Sequence, residues 1–245
     1  MLGLDWTYDA VECVGPELAE FVQTRDASWR GLSLTMPLKR DVLPLLDWRH
    51  PLVDRVGAAN TVLMTNDGIR GFNTDVMGAV RSFREAGVST LDDVHILGAG
   101  ATASSMLVAV AELGASRVVV SARTPAKAQE LVTLGASLGV DVIVRAWGIQ
   151  DRSLRAPDAI ISTLPGGEND MVFPEPIRDS SALFDIAYDP WPSALAASWS
   201  GTVISGFDLL INQAVGQVRV FVNGDPEAEL PGEAAVVDAM RAAIA

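Results

Sequence analysis

The chain has 245 residues, of which 49% are hydrophobic and 20% are charged, so it carries enough apolar side chains for a substantial core and is not a disordered chain. Its formal net charge of −13 disfavours nucleic acid as a partner. With the single cysteine Cys13 no internal disulfide can form, and His50 and His95 lie too far apart in sequence to suggest a metal site. We therefore expect a cytoplasmic protein without a signal peptide, a membrane span or a bound metal.

The first third of the chain alternates strand and helix patterns. Alternation of apolar and polar residues with period two predicts strands, whereas proline in a first turn followed by helical apolar spacing predicts helices. The residues Asn66-Asp67-Gly68 between two apolar runs predict a hairpin. In chain order, the predicted elements are a strand at 7–13, a helix at 16–24, a strand at 31–36, a helix at 37–46, hairpin strands at 61–65 and 69–72, and a helix at 75–85.

From residue 94 onward the pattern becomes a regular succession of strands and helices. Strands separated by helices form parallel sheets whose two faces those helices cover. The chain is therefore predicted to be an α/β protein. The predicted strands are 94–97, 117–121, 140–146, 159–163 and 182–186, and the predicted helices are 101–113, 125–138, 208–222 and 233–245.

A glycine-rich turn joins the predicted strand at 94–97 to the helix that follows it. Its residues are Gly98, Ala99, Gly100, Ala101, Thr102 and Ala103. In such a G-x-G-x-x-A turn the first glycine permits the bend, the second lets a diphosphate approach the backbone, and the small last residue lets helix and strand pack closely. The helix N-terminus also favours an anion. The turn predicts a dinucleotide site in a Rossmann-type, doubly wound parallel-sheet domain.

The residues after the next strand indicate which nucleotide binds. Enzymes that use NAD place an acidic residue here to bind the ribose hydroxyls, whereas this strand ends in Ser121-Ala122-Arg123-Thr124. Arg123 can donate two parallel hydrogen bonds to a 2′-phosphate, and Thr124 and Lys127 can add to them. We therefore expect NADP rather than NAD. The alternative is that these basic residues are only the solvent-exposed start of a helix and contact no phosphate.

Lys39 is the candidate catalytic group of the first third of the chain. In the predicted strand, Leu32 and Leu34 point to one face while Ser33 and Thr35 point to the other, and Lys39 lies in the first helical turn after it. Ligands of open α/β sheets lie beyond the carboxyl ends of strands. A lysine there can transfer protons to a ligand, whereas the residue taken in isolation is more simply a solvated surface lysine.

Six strings of this sequence, in order, resemble motifs of the shikimate/quinate dehydrogenase family. The first three follow the family patterns G-x-(N/S)-V-T-x-P-x-K, G-A-x-N-T and G-x-N-T-D-x-x-G. With the glycine-rich turn, the resemblance extends over nearly the whole chain. The strings are residues 31–39, 57–61, 71–78, 161–167, 185–190 and 206–214.

The resemblance implies NADPH-dependent reduction of 3-dehydroshikimate to shikimate, a step of chorismate and aromatic amino acid biosynthesis. Carried over by position, Lys39 and Asp75 are the catalytic pair. Lys39 would donate the proton as the C3 carbonyl accepts hydride, and Asp75 would hold the lysine in place and bond the hydroxyl. The resemblance also implies substrate contacts from Thr35, Asn60, Tyr188 and Gln213, and cofactor contacts from Thr163 and Gly206.

The resemblance further implies two domains. Residues 1–77 plus 212–245 are expected to form a substrate-binding and catalytic α/β domain, and residues 78–211 the NADP-binding Rossmann domain. The family begins with an additional strand and a loop whose two serines bind the substrate carboxylate, and this chain resembles the family only from the second strand onward. Two explanations compete, a misassigned start codon and a natural short homologue. If the chain is whole, we expect weak binding of shikimate and a less stable first domain.

Several alternatives stay open at this point. One is a quinate/shikimate dehydrogenase of broader specificity or an NAD-using relative. Another is a non-catalytic nucleotide-binding homologue that lost the loop for the substrate carboxylate. As partners we expect a small-molecule substrate, no nucleic acid and no membrane, with the chain as a monomer or homodimer. His50 and His95 match none of the motifs and receive no role.

Overall fold

The computed structural model describes residues 2–148, 156–164 and 171–244, and the chain divides into two compact units. The first unit comprises Met1–Thr74 and Gln213–Ala245, and the second comprises Asp75–Asn212. The predicted α/β class is confirmed, since one unit contains a small mixed sheet and the other a parallel sheet with helices between its strands. The assignment of substrate binding and cofactor binding to these units stays a prediction.

A four-stranded sheet forms the centre of the first unit. Its strands are β1 (Gly31–Ser33), β2 (Trp48–Arg49), β3 (Thr61–Thr65) and β4 (Gly68–Phe72), in the order β1-β3-β4-β2. β3 and β4 form the predicted antiparallel hairpin, whereas β2 pairs with β4 in parallel. The helices of this unit that precede β4 are α1 (Gly15–Gln23), α2 (Leu38–Asp41) and α3 (Pro51–Val56).

Two apolar clusters hold the first unit together. Leu18 of α1, Val42 after α2, Val53 of α3 and Val62 of β3 pack in one of them and are almost completely buried. Burying one such side chain contributes roughly 1.5–3 kcal/mol relative to leaving it in water. The other cluster consists of Leu63, Phe72, Val220 and Phe221.

The predicted strand at 7–13 is wrong, because residues 2–14 form neither strand nor helix. A strand needs a partner for its N–H and C=O groups, which alternation in the sequence does not supply. Among the described strands, β1 pairs only with β3. Residues of this segment and of β1, among them Tyr8, Cys13 and Leu32, line a cavity of about 450 Å³.

The predicted helix at 37–46 is interrupted. α2 ends at Asp41, and a 3-10 turn at Leu43–Leu45 follows it. Pro44 explains the interruption, since proline has no N–H to donate and disfavours helical geometry in the residue before it. The predicted helix at 125–138 likewise begins as a 3-10 turn, Pro125–Ala128, before the regular helix.

A six-stranded parallel sheet forms the centre of the second unit. Its order is β10-β9-β8-β5-β6-β7. Its strands are β5 (Asp93–Leu97), β6 (Arg117–Ala122), β7 (Asp141–Ala146), β8 (Ala159–Ser162), β9 (Ala182–Asp185) and β10 (Val203–Ser205). The helices are α4 (Asp75–Glu85), α5 (Ala101–Glu112), α6 (Gln129–Leu138), α7 (Glu175–Ser180) and α8 (Ala194–Ala197).

Two C-terminal helices follow β10. α9 (Gly206–Asn223) begins in the second unit, and its residues from Gln213 onward belong to the first, as does α10 (Glu233–Ala243). Arg219 of α9 and Glu233 of α10 form a bidentate ion pair with distances of 2.6 and 2.7 Å, and both side chains are largely buried. Removing one partner of such a buried pair leaves an uncompensated charge and costs about 3–5 kcal/mol.

In the described part of the chain, no helix has the length and apolar character of a bilayer span.

The two histidines, which no motif singled out, have structural roles. His50 precedes α3 and accepts a hydrogen bond from the Leu52 N–H through Nδ1 at 3.3 Å. In the second unit, His95 Nε2 lies 2.8 Å from Ser121 Oγ. Burial, with a smaller contribution from the positive charge of Arg145, lowers the pKa of His95 to about 4. His95 is therefore neutral in the folded protein at neutral pH.

We expect the free energy of unfolding to fall by about 3 kcal/mol through His95 as the pH drops from 6.5 toward 4. The unfolded chain takes up this proton near pH 6.5, whereas the folded chain takes it up only near pH 4, so acid favours unfolding over that interval. His95→Gln keeps a polar partner for Ser121 but does not titrate. Urea denaturation at pH 7 and pH 4.5 should therefore show a smaller loss of stability for this variant than for the unmodified protein.

His50→Gln is the matched control. Burial lowers the pKa of His50 as well, but Asp225 and Glu227 oppose that shift, so this variant should change the pH dependence less. If His95→Gln loses as much stability in acid as the unmodified chain, His95 is not the titrating group.

Candidate functional site

The glycine-rich turn follows β5 and begins α5, as the sequence predicted. Gly98 has a φ of +108°, a conformation that other residues rarely adopt, and its N–H donates to the Ser121 carbonyl at 2.9 Å. A β-carbon at Gly98 would overlap with Thr163 Oγ1. Thr163 in turn donates to the carbonyl of Leu97 through both its N–H, at 2.9 Å, and its hydroxyl, at 2.8 Å. The bend is therefore held from two neighbouring strands.

Gly100 and the start of α5 fit a diphosphate. Gly100 is exposed, and a β-carbon added to it would meet no atom within 4 Å. It is the N-cap residue of α5 and offers no side-chain acceptor to the first N–H groups of the helix. Those N–H groups and the helix dipole attract anions. Ala103 is completely buried, as the close packing of this helix on the sheet requires.

Arg123, Thr124 and Lys127 lie just beyond the end of β6 and are exposed. β5 and β6 are parallel, with Leu97 opposite Ser121, so the glycine-rich turn and Arg123 follow the same edge of the sheet. A cationic group beside the turn is suited to a ribose 2′-phosphate. The structure thus brings the predicted cofactor residues to one edge of the second unit.

Gly206, another predicted cofactor residue, is required by the backbone around it. A β-carbon there would overlap with the carbonyl oxygen of Ile186 and lie 2.7 Å from that of Ala187. The Gly206 N–H donates to the Ala187 carbonyl at 3.3 Å. Gly206 therefore holds the loop after β9 against the start of α9, and direct cofactor contact by Gly206 or Thr163 stays a prediction.

The carboxylate of Asp185 also organises the loop after β9. Asp185 belongs to one of the six family-like strings, but the sequence analysis gave it no role. Asp185 is almost completely buried at the end of β9 and accepts hydrogen bonds from Ser193 Oγ at 2.5 Å and the Ala187 N–H at 3.2 Å. The adjacent Tyr188 is half-exposed, with its ring centroid 5.8 Å from that of Phe207. The sequence signal that could have identified Asp185 is the presence of a charged residue at the end of an otherwise apolar strand.

Asn60 and Gln213, two predicted substrate residues, are in contact within the first unit. Asn60 Oδ1 accepts from the Thr74 N–H at 2.9 Å and from Thr61 Oγ1 at 2.9 Å. Asn60 Nδ2 donates to Thr74 Oγ1 at 2.9 Å and to Gln213 Oε1 at 3.2 Å. Gln217, which sequence reasoning missed, donates from Nε2 to the same Gln213 oxygen at 2.7 Å. The neutral side chains of Asn60 and Gln217 thus both donate hydrogen bonds to Gln213, which is partly exposed.

Lys39 is connected to this group through the backbone. It is the second residue of α2 and partly buried, and its carbonyl accepts from the Ala59 N–H at 2.8 Å, directly before Asn60. Thr35 is exposed at the turn that precedes α2, where its carbonyl accepts from the Leu38 N–H. The structure therefore places Lys39 and Asn60 on adjoining segments.

Asp75 directly follows Thr74 and is the first residue of α4 in the second unit. It is almost completely buried. A carboxylate in the first turn of a helix is stabilised by the helix dipole.

Among the described residues, no group of three or more His, Cys, Asp or Glu side chains could hold a metal ion. Residues 165–167 of the family-like string at 161–167 lie outside the described ranges.

Comparisons with known proteins agree with these features. Residues 1–62 match the family model described as the shikimate dehydrogenase substrate binding domain. The chain is 33% identical over 234 residues to shikimate dehydrogenase (NADP(+)) of Methanococcoides burtonii, covering 92% of this chain and 84% of that protein.

Two solved structures extend the comparison to the fold. Shikimate dehydrogenase of Mycobacterium tuberculosis is 35% identical with a TM-score of 0.83, covering 97% of this chain and 88% of that one. The shikimate 5-dehydrogenase of Thermus thermophilus, solved in complex with NADP(H) and shikimate, is 27% identical with a TM-score of 0.71, covering 96% and 85%. The resemblance inferred from the six strings is confirmed, and the chain belongs to the shikimate dehydrogenase family.

Proposed function

We propose that this chain is an NADP-dependent oxidoreductase that interconverts 3-dehydroshikimate and shikimate. The observation that carries the proposal is the hydrogen-bonded group of Asn60, Thr74 and Gln213, on segments that adjoin Lys39. A polyol needs such fixed neutral partners, because each buried polar group left unpaired costs about 1–3 kcal/mol. Relatives named as shikimate dehydrogenase (NADP(+)) over most of their length support this choice of substrate and cofactor.

The roles of the residues follow from their chemistry. Bound NADPH supplies the hydride that reduces the C3 carbonyl of the substrate. Lys39 donates a proton from Nζ to the carbonyl oxygen as negative charge develops there. Asp75 is proposed as the second catalytic residue, whose carboxylate accepts a hydrogen bond from a substrate hydroxyl. Thr35, Asn60, Tyr188 and Gln213 are proposed substrate contacts that fix the ring.

The cofactor is proposed to lie along the carboxyl edge of the parallel sheet. The N–H groups at the start of α5 bind its diphosphate, and Arg123, Thr124 and Lys127 bind the 2′-phosphate. A cytoplasmic location and a monomeric or homodimeric state complete the proposal, and the single cysteine is in keeping with a reducing compartment.

Reduction of NADP⁺ in the presence of shikimate, quinate or no substrate, followed by the absorbance of reduced nicotinamide, tests the function. We expect turnover with shikimate, and a Lys39→Ala variant that loses about 10²- to 10⁴-fold in rate, the contribution typical of a general acid–base group, while its affinity for NADP⁺ is retained. Calorimetric titration with NADP⁺ measures that affinity.

Arg40→Ala is the control, because it removes a positive charge from the neighbouring exposed position. A Lys39→Ala variant as fast as this control would remove Lys39 from the mechanism. Cofactor binding without turnover on any substrate would instead favour a non-catalytic nucleotide-binding protein, and faster turnover of quinate would favour the broader dehydrogenase.

Gly100→Ala should separate cofactor binding from folding. The added methyl group meets no protein atom, so we expect stability to change by about 1 kcal/mol or less, the effect of alanine at an N-cap. The same methyl group lies where the diphosphate must approach the backbone, so the KM for NADP⁺ should rise about tenfold or more. Steady-state kinetics and thermal denaturation measure the two effects.

Gly98→Ala is the matched comparison, since its β-carbon overlaps with Thr163 and its φ is positive. It should lower the free energy of unfolding by about 1–3 kcal/mol. Unchanged cofactor affinity in Gly100→Ala would show that the diphosphate does not approach this turn.

Arg123→Ala should reduce the preference for NADP⁺ over NAD⁺. A charged hydrogen bond contributes about 1.5–3 kcal/mol, so kcat/KM for NADP⁺ should fall about 10- to 100-fold while kcat/KM for NAD⁺ stays within about threefold. Arg117→Ala provides the control, because it removes the same charge from the opposite end of β6. Equal losses with both nucleotides would indicate that Arg123 does not contact the 2′-phosphate.

A further inference from the structure

Gln217 is a buried side chain of α9 that contacts both β1 and another residue of the same helix. It lies one helical turn after Gln213 on α9, so the two side chains share one face of the helix. Its Nε2 donates to Gln213 Oε1 at 2.7 Å, and its Oε1 accepts from Ser33 Oγ at 2.6 Å. Ser33 is the last residue of β1, where it is paired with Thr61 of β3. Gln217 thus joins the end of the sheet to a proposed substrate contact.

The direction of these hydrogen bonds is set by the backbone. The Thr74 N–H can only donate, and it faces Asn60 at 2.9 Å, so the facing atom of Asn60 is its oxygen. The amide nitrogen of Asn60 must then point to Gln213, at 3.2 Å, so the atom that receives it is the Gln213 oxygen. Each amide along the run therefore has one favourable orientation.

Gln217 completes this arrangement. Because Gln213 Oε1 already faces Asn60, Gln217 must direct its own nitrogen to that oxygen, and its own oxygen to the hydroxyl of Ser33. The Gln213 oxygen thus receives two donors. Its NH₂ group lies at the other end of the amide.

We propose that Gln217 is a positioning residue that, together with Asn60, fixes the orientation of the Gln213 amide, so that Gln213 acts toward the substrate as a hydrogen-bond donor. This inference rests on the proposed function, in which Gln213 contacts the substrate. The substrate group that Gln213 meets must then be an acceptor, such as the oxygen of a hydroxyl group. Without Gln217, the Gln213 oxygen loses the shorter of these two bonds and keeps the 3.2 Å bond from Asn60.

Gln217→Glu tests the proposal, because it keeps the shape of the side chain and removes its donor. A carboxylate beside Gln213 Oε1 repels that oxygen and attracts the Gln213 NH₂ group. This attraction would reverse the amide at the expense of the 3.2 Å bond from Asn60. With the acceptor end then facing the substrate, we expect the KM for shikimate at pH 8 to rise about 10- to 100-fold. The KM for NADP⁺ and the kcat at saturation should stay within about threefold.

Lowering the pH supplies a readout that a purely structural role would not give. A protonated carboxyl group again has one donor and one acceptor, as the glutamine amide has. Burial raises the pKa of a carboxyl group, so the introduced group should take up a proton as the pH approaches 5.5. The KM of Gln217→Glu should therefore fall back toward that of the unmodified protein, whose own KM over the same range corrects for other titrating groups.

Two further variants control for folding and charge. Gln217→Met removes the donor without adding charge, and we expect a smaller rise in KM, about three- to tenfold, that does not depend on pH. Gln23→Glu makes the same chemical change at an exposed position of α1 and should leave every kinetic constant unchanged. Circular dichroism and thermal denaturation show whether each variant is folded.

A measurement without substrate separates this inference from the proposed function. The side-chain NH₂ resonances of Gln213, identified by their loss in Gln213→Glu, should move in Gln217→Glu at pH 8 and return at pH 5.5. Unmoved resonances, or a KM for shikimate that stays constant in Gln217→Glu, would overturn the role of Gln217. If the unmodified chain does not oxidise shikimate, the proposed function fails, and the resonances alone decide whether Gln217 orients Gln213.

Discussion

One hydrogen bond, from the Thr74 N–H to Asn60 Oδ1, sets the direction of the polar contacts in the first unit. The donor belongs to the backbone and cannot reverse its role, whereas every side-chain amide beyond it could be turned by rotation. The bond is completely buried, so reversing the Asn60 amide would place two donors against each other without water to separate them. The fold thereby gives each side-chain amide of this uncharged cluster one defined orientation of its donor and acceptor ends.

In the second unit, two glycines allow neighbouring segments to approach each other closely. At Gly98 a β-carbon would overlap with Thr163, and at Gly206 it would overlap with the carbonyl of Ile186. Both glycines lie where a strand end meets the start of a helix. Gly98 leaves room for the Thr163 hydroxyl, and Gly206 leaves room for main-chain atoms of Ile186 and Ala187. Gly100 differs, because the space beside it is open. Packing within the protein explains the first two glycines, and the open space beside the third is compatible with the diphosphate proposed to bind there.

The features that the sequence predicted well depend on local signals. The hairpin at β3 and β4, the helix at α4 and the strand–turn–helix around Gly98 each have turn or cap residues within a few positions of the element. The strand predicted at 7–13 failed because pairing depends on a partner strand distant in sequence. α3 was missed although Pro51 at its start and Gly57, with a φ of +70° at its end, are recognisable boundaries. Gln217 carried no signal at all, since its importance arises only when Ser33, 184 positions earlier, folds against it.

Neutral amides suit this cluster better than charged groups would. An ionised side chain among Asn60, Thr74 and Gln217, which are all buried, would require a counter-charge or a large desolvation cost. Amides avoid that cost, but they provide selectivity only when their orientation is fixed. An amide that can rotate by 180° presents either its NH₂ group or its oxygen, so it pairs equally well with an acceptor or a donor on the ligand. A hydroxyl-bearing ligand is then distinguished from an analogue that lacks the hydroxyl by the N–H group that the analogue leaves unpaired. The selectivity proposed for Gln213 therefore originates in the rigid backbone at Thr74, transmitted through Asn60 and reinforced from the other side by Gln217.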